Sequence, residues 1–273
     1  MKNLSRKWFV LFAVLMAAVC LPGFNGTGRL SVAAAETSQA DGLVKEGKKV
    51  YFYKNGTPVT KTWKTVKKKT YYFGEDGAAV TGWQTVKKSG KYKLFWFSKK
   101  GVLNKKKSAR IDQKSVNTIV KKSDAIIKAL EITSETETEE TVKRLFDYMV
   151  DKTRYDRDTS RSKAKGWEYK YAKKMLSKRT GSCYHYAAGF AFLVRRATGL
   201  DVRVCMGKAK VFNAKVTQPH AWTEIKLDGT WYIFDTNAAK YSTRKGLVFY
   251  QLKRSASAAK KNYKTSKKVT VRL

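Results

Sequence analysis

An aromatic repeat near the N-terminus limits the fold more than any other feature of this chain. Val50-Tyr51-Phe52-Tyr53 is followed by Asn55-Gly56 and Trp63, and Thr70-Tyr71-Tyr72-Phe73 by Asp76-Gly77 and Trp83. Tyr51 to Tyr71 and Trp63 to Trp83 are both 20 residues apart, and a looser third copy runs from Leu94-Phe95-Trp96-Phe97 to Lys100-Gly101. An aromatic run followed by a residue pair that tolerates positive φ reads as a short β-hairpin. One such hairpin cannot bury its own rings. A fixed period of this length therefore predicts a small all-β solenoid over residues 45–107, with its core formed between neighbouring units. Residues 36–44 are small, polar and aperiodic, and read as a linker. Most of the aromatics are expected to fill the solenoid. Trp63 and Trp83, with Tyr71, Tyr72 and Trp96, are candidates for a ligand-binding face, because aromatic rings serve both purposes.

From Ser108 the texture changes. Val116, Ile119, Val120, Ile126, Ile127 and Leu130 form a helical stripe, with Asp124 a candidate cap for its second half. Val142, Leu145, Phe146, Met149 and Val150 form another, preceded by the acidic cluster Glu135 to Glu140, which suits a helix N-terminus. A third helix is expected from Trp167 to Leu176. After Gly199 the period falls to that of strands, at 201–206, 220–227, 230–235 and 247–252. Helices first and strands second predict an α+β domain over residues 108–273.

The first 35 residues read as an export signal. Lys2, Arg6 and Lys7 precede an apolar run from Trp8 to Leu21, and Ala33-Ala34-Ala35 offers a cleavage site. The run is 14 residues long and stops at Pro22-Gly23, short of the roughly 20 that span a bilayer. Cleavage would remove four basic residues (Lys2, Arg6, Lys7, Arg29) and no acidic one, so the chain stays basic. Its 58 Lys and Arg against 21 Asp and Glu, a net +37, predict attraction to polyanions. Residues 42–107 hold 18 basic and 3 acidic residues, so charge is spread over the chain, and no nucleic-acid-binding motif accompanies it. A teichoic-acid-like polyanion or glycan of a cell wall fits better than specific nucleic acid. After cleavage only Cys183 and Cys205 remain, too few for a disulfide framework.

The chemistry-bearing residues lie in two motifs. Gly181-Ser182-Cys183 precedes an apolar run that closes at Gly199, which places Cys183 at a helix N-terminus. Free backbone N–H groups there favour thiolate over thiol and can hold a developing oxyanion. On Cys183 alone, a buried structural thiol or a disulfide to Cys205 is the plainer reading. The second motif, His220-Ala221-Trp222-Thr223-Glu224 through Asp228-Gly229 to Trp231-Tyr232-Ile233-Phe234-Asp235, changes that. If Asp228-Gly229 is a two-residue turn, Trp222 opposes Asp235, and Asp235 is the diagonal neighbour of His220. A carboxylate so placed can orient an imidazole and stabilise its cation. Asn237, opposite His220 in the same count, is the rival orienter. His185 is rotated about 200° from Cys183 on its helix and reads as structural. Cys205, between Val204 and Met206, reads as a buried strand thiol.

Two resemblances follow from these residues. Tyr71-Tyr72-Phe73, Gly77 and Thr81-Gly82-Trp83 resemble the choline-binding-type cell-wall-binding repeats of Gram-positive surface proteins. Val50 and Thr70 stand where choline binders carry a first Trp of their cation cage. Residues 140 to 237 resemble a bacterial exported transglutaminase-like domain, through Val142 to Met149, Tyr155-Asp156, Gly181-Ser182-Cys183 with Tyr186-Ala187, His220-Ala221-Trp222 and Asp235. That resemblance implies a papain-like or transglutaminase-like fold with Cys183 as nucleophile, His220 as general base and acid, and Asp235 as orienter. It implies no cofactor and no metal. The expected protein is secreted and wall- or surface-associated, and acts on a carboxamide or peptide bond of a protein or peptide by acyl transfer to an amine or by hydrolysis. The alternative is a non-catalytic wall-binding or adhesion protein that uses the same domain as a scaffold.

Overall fold

The computed structural model describes residues 40–157 and 164–273. The expected export signal and residues 36–39 of the expected linker lie outside the described residues. Gly42–Val44, expected to close that linker, instead belong to the first strand, β1 (Gly42–Glu46), which pairs with β2 (Lys49–Lys54). β3 is Thr57–Pro58, and two further hairpins follow, β4 (Thr62–Val66) with β5 (Lys69–Phe73) and β6 (Gly82–Lys88) with β7 (Lys91–Phe97). The main turns are not the ones expected. They fall at Gly47-Lys48, Lys67-Lys68 and Ser89-Gly90, so each aromatic run is the second strand of its hairpin. Lys67 (φ 46°) and Lys68 (φ 64°) take the left-handed backbone of a two-residue turn without a glycine, which is why this turn carried no sequence signal. Of the expected turn pairs, Asn55-Gly56 joins β2 to β3, while Asp76-Gly77 and Lys100-Gly101 sit inside single-bridge returns, Phe73 to Ala79 and Phe97 to Leu103.

The last hairpin is joined to the helices by side chains. These helices are α1 (Lys105–Ser108), α2 (Gln113–Ala129) and α3 (Thr138–Lys152). Along β7, Tyr92 N donates to Asn117 (3.0 Å), Leu94 N to Gln113 Oε1 (2.9 Å) and Trp96 N to Ser108 Oγ (3.0 Å). Gln113 Nε2 returns a bond to Leu94 O (2.9 Å). An open strand edge is thus satisfied without another strand, and Leu94 enters the main core. Asp124 caps nothing. α2 is continuous, its N-cap is Asp112, and Asp124 accepts from Arg196 Nε (2.6 Å).

Beyond α3, β8 (Arg154–Tyr155) and β9 (Thr180–Gly181) form a short parallel ladder on either side of α4 (Trp167–Lys178). α5 (Cys183–Thr198) is apolar almost all round and ends at Gly199, whose φ of 69° suits a residue without a side chain. It lies on an antiparallel sheet built from β10 (Val202–Ala209), β11 (Gln218–Leu227) and β12 (Thr230–Phe234). α6 (Thr236–Tyr241), β13 (Leu252–Lys253), α7 (Ser257–Asn262) and β14 (Tyr263–Thr270) complete the chain. The sheet order is β13-β12-β11-β10-β14. Most of the strand expected at 247–252 is irregular, because Phe249 O accepts from Asp235 N and Gln251 turns left-handed (φ 53°). β14 was not expected: a lysine-rich segment reads as solvated loop, yet lysines are common on exposed sheet edges. One face of the sheet packs against the helices; the other buries Cys205, Trp222, Ile233 and Tyr263. Among the described residues no helix is long and apolar enough to cross a membrane.

Candidate active site

Cys183 opens α5 behind Gly181 and Ser182. A Cβ at Gly181 would collide with the His185 ring, so the glycine is sterically required. His185 stacks on Tyr171 (4.3 Å, 13°) and its Nδ1 accepts from Ser182 N (3.2 Å). It thereby holds the loop before Cys183 and does not line the Cys183 hollow. As the first residue of a helix, Cys183 has no intrahelical acceptor for its N–H.

His220 lies near the start of β11, opposite Gly207 of β10. A Cβ at Gly207 would strike Lys264 O, and the β10–β14 register shifts beside it, between Met206 and Gly207. β11 is tied to α5 by Thr223 Oγ1 donating to Ala187 O (2.9 Å). The β11–β12 pairing runs from Leu227–Thr230 to Thr223–Phe234, the register expected from the Asp228-Gly229 turn. The ladder ends there, and Asp235 becomes the N-cap of α6, accepting from Ala238 N (3.0 Å).

The Asp235 carboxylate also meets His220 Nε2 at 2.7 Å and accepts from Tyr263 Oη at 3.1 Å. His220 and Asp235 are each 1% exposed, so both need the partners they have. Burial works to lower the His220 pKa. The Asp235 charge and hydrogen bond, with a contribution from Cys183, outweigh it and raise the imidazole to about 10. Cys183 and His220 both line a hollow of about 410 Å³ with Tyr155, Phe212, Pro219 and Tyr241. Tyr155 N donates to Tyr241 Oη (2.8 Å), which fixes one wall. With Nε2 given to Asp235, only Nδ1 of His220 is left for chemistry at Cys183.

Asn237 does not orient His220. β12 has ended before it, and its buried amide has no hydrogen-bond partner among the described residues. Cys205 is buried and free, as is Cys183, so no disulfide joins them. Burial pushes the Cys205 thiol up, with Glu224 adding to the shift. Tyr263 was missed because β14 was missed; the alternation Tyr263, Thr265, Lys267, Val269 was the available signal. Among the described residues no cluster of His, Cys, Asp and Glu could hold a metal.

The five aromatic candidates of the hairpins separate. Trp63 sits among Tyr72 (5.2 Å), Phe95 (5.0 Å) and Phe97 (5.9 Å), and Tyr71 is buried beside Phe73. Trp83 and Trp96 oppose each other across β6 and β7, and Lys107 Nζ lies 5.8 Å and 3.7 Å from their ring centres.

Residues 127–236 match the family model of the transglutaminase-like superfamily. The chain contains a transglutaminase-like domain. The match takes in α3, α4, α5 and the strands that carry His220, and ends just past Asp235. Three solved structures are similar at low identity. A candidate cysteine protease from Cytophaga hutchinsonii is 19% identical, with 59% of this chain and 55% of that one covered (TM-score 0.34). A TGase is 17% identical over 50% and 35% (TM-score 0.35). The periplasmic domain of TgpA from Pseudomonas aeruginosa is 14% identical over 64% and 72% (TM-score 0.31). The chain thus spans about half the length of the first and about a third of the second. No curated protein matches the chain in sequence.

Proposed function

We propose that this protein is an exported, wall-associated thiol acyl-enzyme in which Cys183, His220 and Asp235 form a catalytic triad. The observation that carries the reading is the buried 2.7 Å contact between His220 Nε2 and Asp235, which leaves His220 facing the Cys183 hollow. The Cys183 sulfur, as thiolate, attacks the carbonyl carbon of a carboxamide or peptide bond. Developing negative charge on the oxygen is held by the Cys183 N–H at the start of α5. His220 gives its proton to the departing nitrogen, which leaves as ammonia or an amine, and a thioester remains. An incoming amine or water then attacks the thioester, His220 takes its proton, and the Cys183 thiolate is released beside the imidazolium with an isopeptide or a carboxylic acid as product. Asp235 keeps the imidazole in one orientation and stabilises its cation.

The apolar run behind the three basic residues at the N-terminus supports export. The three hairpins are read as stacked repeats that attach the protein to wall glycan through their aromatic rings, and a choline cation at Trp83 and Trp96 would have to displace Lys107, whose Nζ lies 5.8 Å and 3.7 Å from their ring centres. The test is to incubate the protein with a glutamine-bearing peptide and a primary amine and follow the products by mass spectrometry. A thioester on Cys183 followed by an amine adduct or a hydrolysed product is expected. A peptide left unchanged, with no adduct on Cys183 from an activated ester either, overturns the reading.

A further inference from the structure

A second hollow, of about 510 Å³, lies between the last hairpin, α1, the start of α4 and the β14 edge, and shares no lining residue with the Cys183 hollow. Lys107, Arg110, Lys267, Lys268 and Arg272 line it, and Trp83 forms an aromatic wall. None of these five cations makes an ion pair among the described residues. Neither of the two acids present forms an ion pair with them among the described residues. Asp112 is engaged by the backbone and hydroxyl of Ser115 (3.0 and 2.5 Å). Glu168 is 8% exposed, and burial pushes its carboxyl up toward the neutral form, against the opposing pull of Arg272 and Lys267. Two of the cations are also placed by the ring: Arg272 is 5.4 Å and Lys107 5.8 Å from the Trp83 centre.

Six cations without an ion pair among the described residues, these five and Lys165, line one groove and exceed what a single small anion needs, and the cavity is as large as ordinary ligand sites, about 300 to 1,000 Å³. Nucleic acid would call for successive open rings on which bases stack. Here Trp83 alone is partly open, since Trp167 and Tyr169 are 5% and 3% exposed. We infer that this groove binds a linear phosphodiester polymer without bases, its phosphates paired with Lys107, Arg110, Lys267, Lys268 and Arg272 and its polyol stretches lying along Trp83. The choice of polymer rests on the wall association proposed above; binding itself does not depend on the chemistry at Cys183. The groove would hold the transglutaminase-like domain against the polymer while the Cys183 hollow stays free.

The experiment uses the full chain carrying Cys183→Ala, so failure of the acyl chemistry cannot affect it. A poly(glycerol phosphate) oligomer of defined length is titrated calorimetrically. The pair Lys267→Gln with Arg272→Gln is expected to weaken Kd about ten-fold or more, at roughly the cost of one salt-screened contact per cation. The exposed pair Lys48→Gln with Lys54→Gln, which removes the same charge from the first hairpin, is expected to leave Kd within about two-fold. Lys268→Gln alone, with a smaller loss, serves if the first pair unfolds. Equal losses from both pairs would overturn the site in favour of a diffuse polycation. Binding of a charge-matched single-stranded DNA oligonucleotide as tight as that of the polymer would overturn the ligand class.

Discussion

The hairpins between Gly42 and Leu103 and the sheet between Val202 and Thr270 are both antiparallel, yet they bury their residues differently. In the hairpins most strand residues are half-buried, and full burial is reached only at Phe73, Leu94 and Phe97. Polar residues there face water and need no explanation. β11 is different: six consecutive residues, His220 to Ile225, are buried, because α5 covers one face and the Trp222–Tyr263 cluster the other. Three of the six are polar. Each has an identified partner, Asp235 for His220, Ala187 O for Thr223, and Arg203 and Arg254 for Glu224 (2.5 and 3.1 Å). A charged or titratable side chain on a strand covered on both faces costs stability unless paired, so its presence points to structure or chemistry that uses it. An exposed Lys on a hairpin points to nothing by itself.

The largest test of that difference is catalytic. Cys183→Ala and His220→Ala should each lower acylation by an activated ester by about 10⁴-fold or more, while Lys54→Ala in the first hairpin changes it little. Rapid-mixing measurement of thioester formation decides this. Unchanged acylation in His220→Ala would mean that burial on β11 signals packing alone.

Next in size is Asp235→Asn, expected to cost about 10² to 10⁴ in rate, since the amide holds the ring but not its charge. The pH profile separates this from a packing defect. The His220 pKa is raised from 6.5 to about 10, so its proton is present for the leaving group below that value and acylation should fall as pH rises through about 10. Removing the Asp235 charge should bring that alkaline limb to lower pH. Stability has the same sign: the contribution of the pair is fully present below 6.5 and lost as pH rises through about 10. An Asp235→Asn profile with the wild-type alkaline limb would remove Asp235 from the role of orienter.

Glu224→Ala compares the regions by stability. It leaves two partly exposed guanidinium groups and the Trp222 indole N–H without their acceptor, which should cost about 2 to 3 kcal/mol in denaturant unfolding. Glu75→Ala breaks the exposed pair with Lys61 in the hairpins, and no resolvable change is expected. Equal effects would mean that burial does not separate the two regions energetically.

What could be read from the sequence follows the same division. The His220–Asp235 relation was legible because one Asp-Gly turn determines every pairing after it, and the period of two then assigns the faces. Cys183 at a helix start was legible because a Gly-Ser lead and a terminal Gly bracket an apolar run. The hairpin turn at Lys67-Lys68 was not, since lysine carries no turn preference and only the pairing partners force it left-handed. Tyr263 was hidden in a lysine-rich edge strand that gains its order from β10. The links from Gln113, Asn117 and Ser108 to β7 depend on tertiary placement, and no local pattern marks a polar helix residue as the partner of a strand edge.

The smallest effect expected separates two tryptophans that occupy equivalent places in the repeat. Trp63 is packed by Tyr72, Phe95 and Phe97, with Lys88 Nζ 4.5 Å from its ring centre. Trp83 faces Trp96 in its own hairpin and also touches the helical core and the basic groove. Trp63→Ala should therefore act within the hairpins, removing ring contacts worth about 1 to 2 kcal/mol for a half-buried side chain, and leave polymer affinity nearly unchanged. Trp83→Ala should lose less in stability, because its neighbours Lys107 and Arg272 can return to water, but should weaken polymer binding several-fold. Unfolding curves and the calorimetric titration on the same two variants give both quantities. If Trp63→Ala weakened binding while Trp83→Ala did not, recognition would belong to the repeat faces and not to the groove beside the domain.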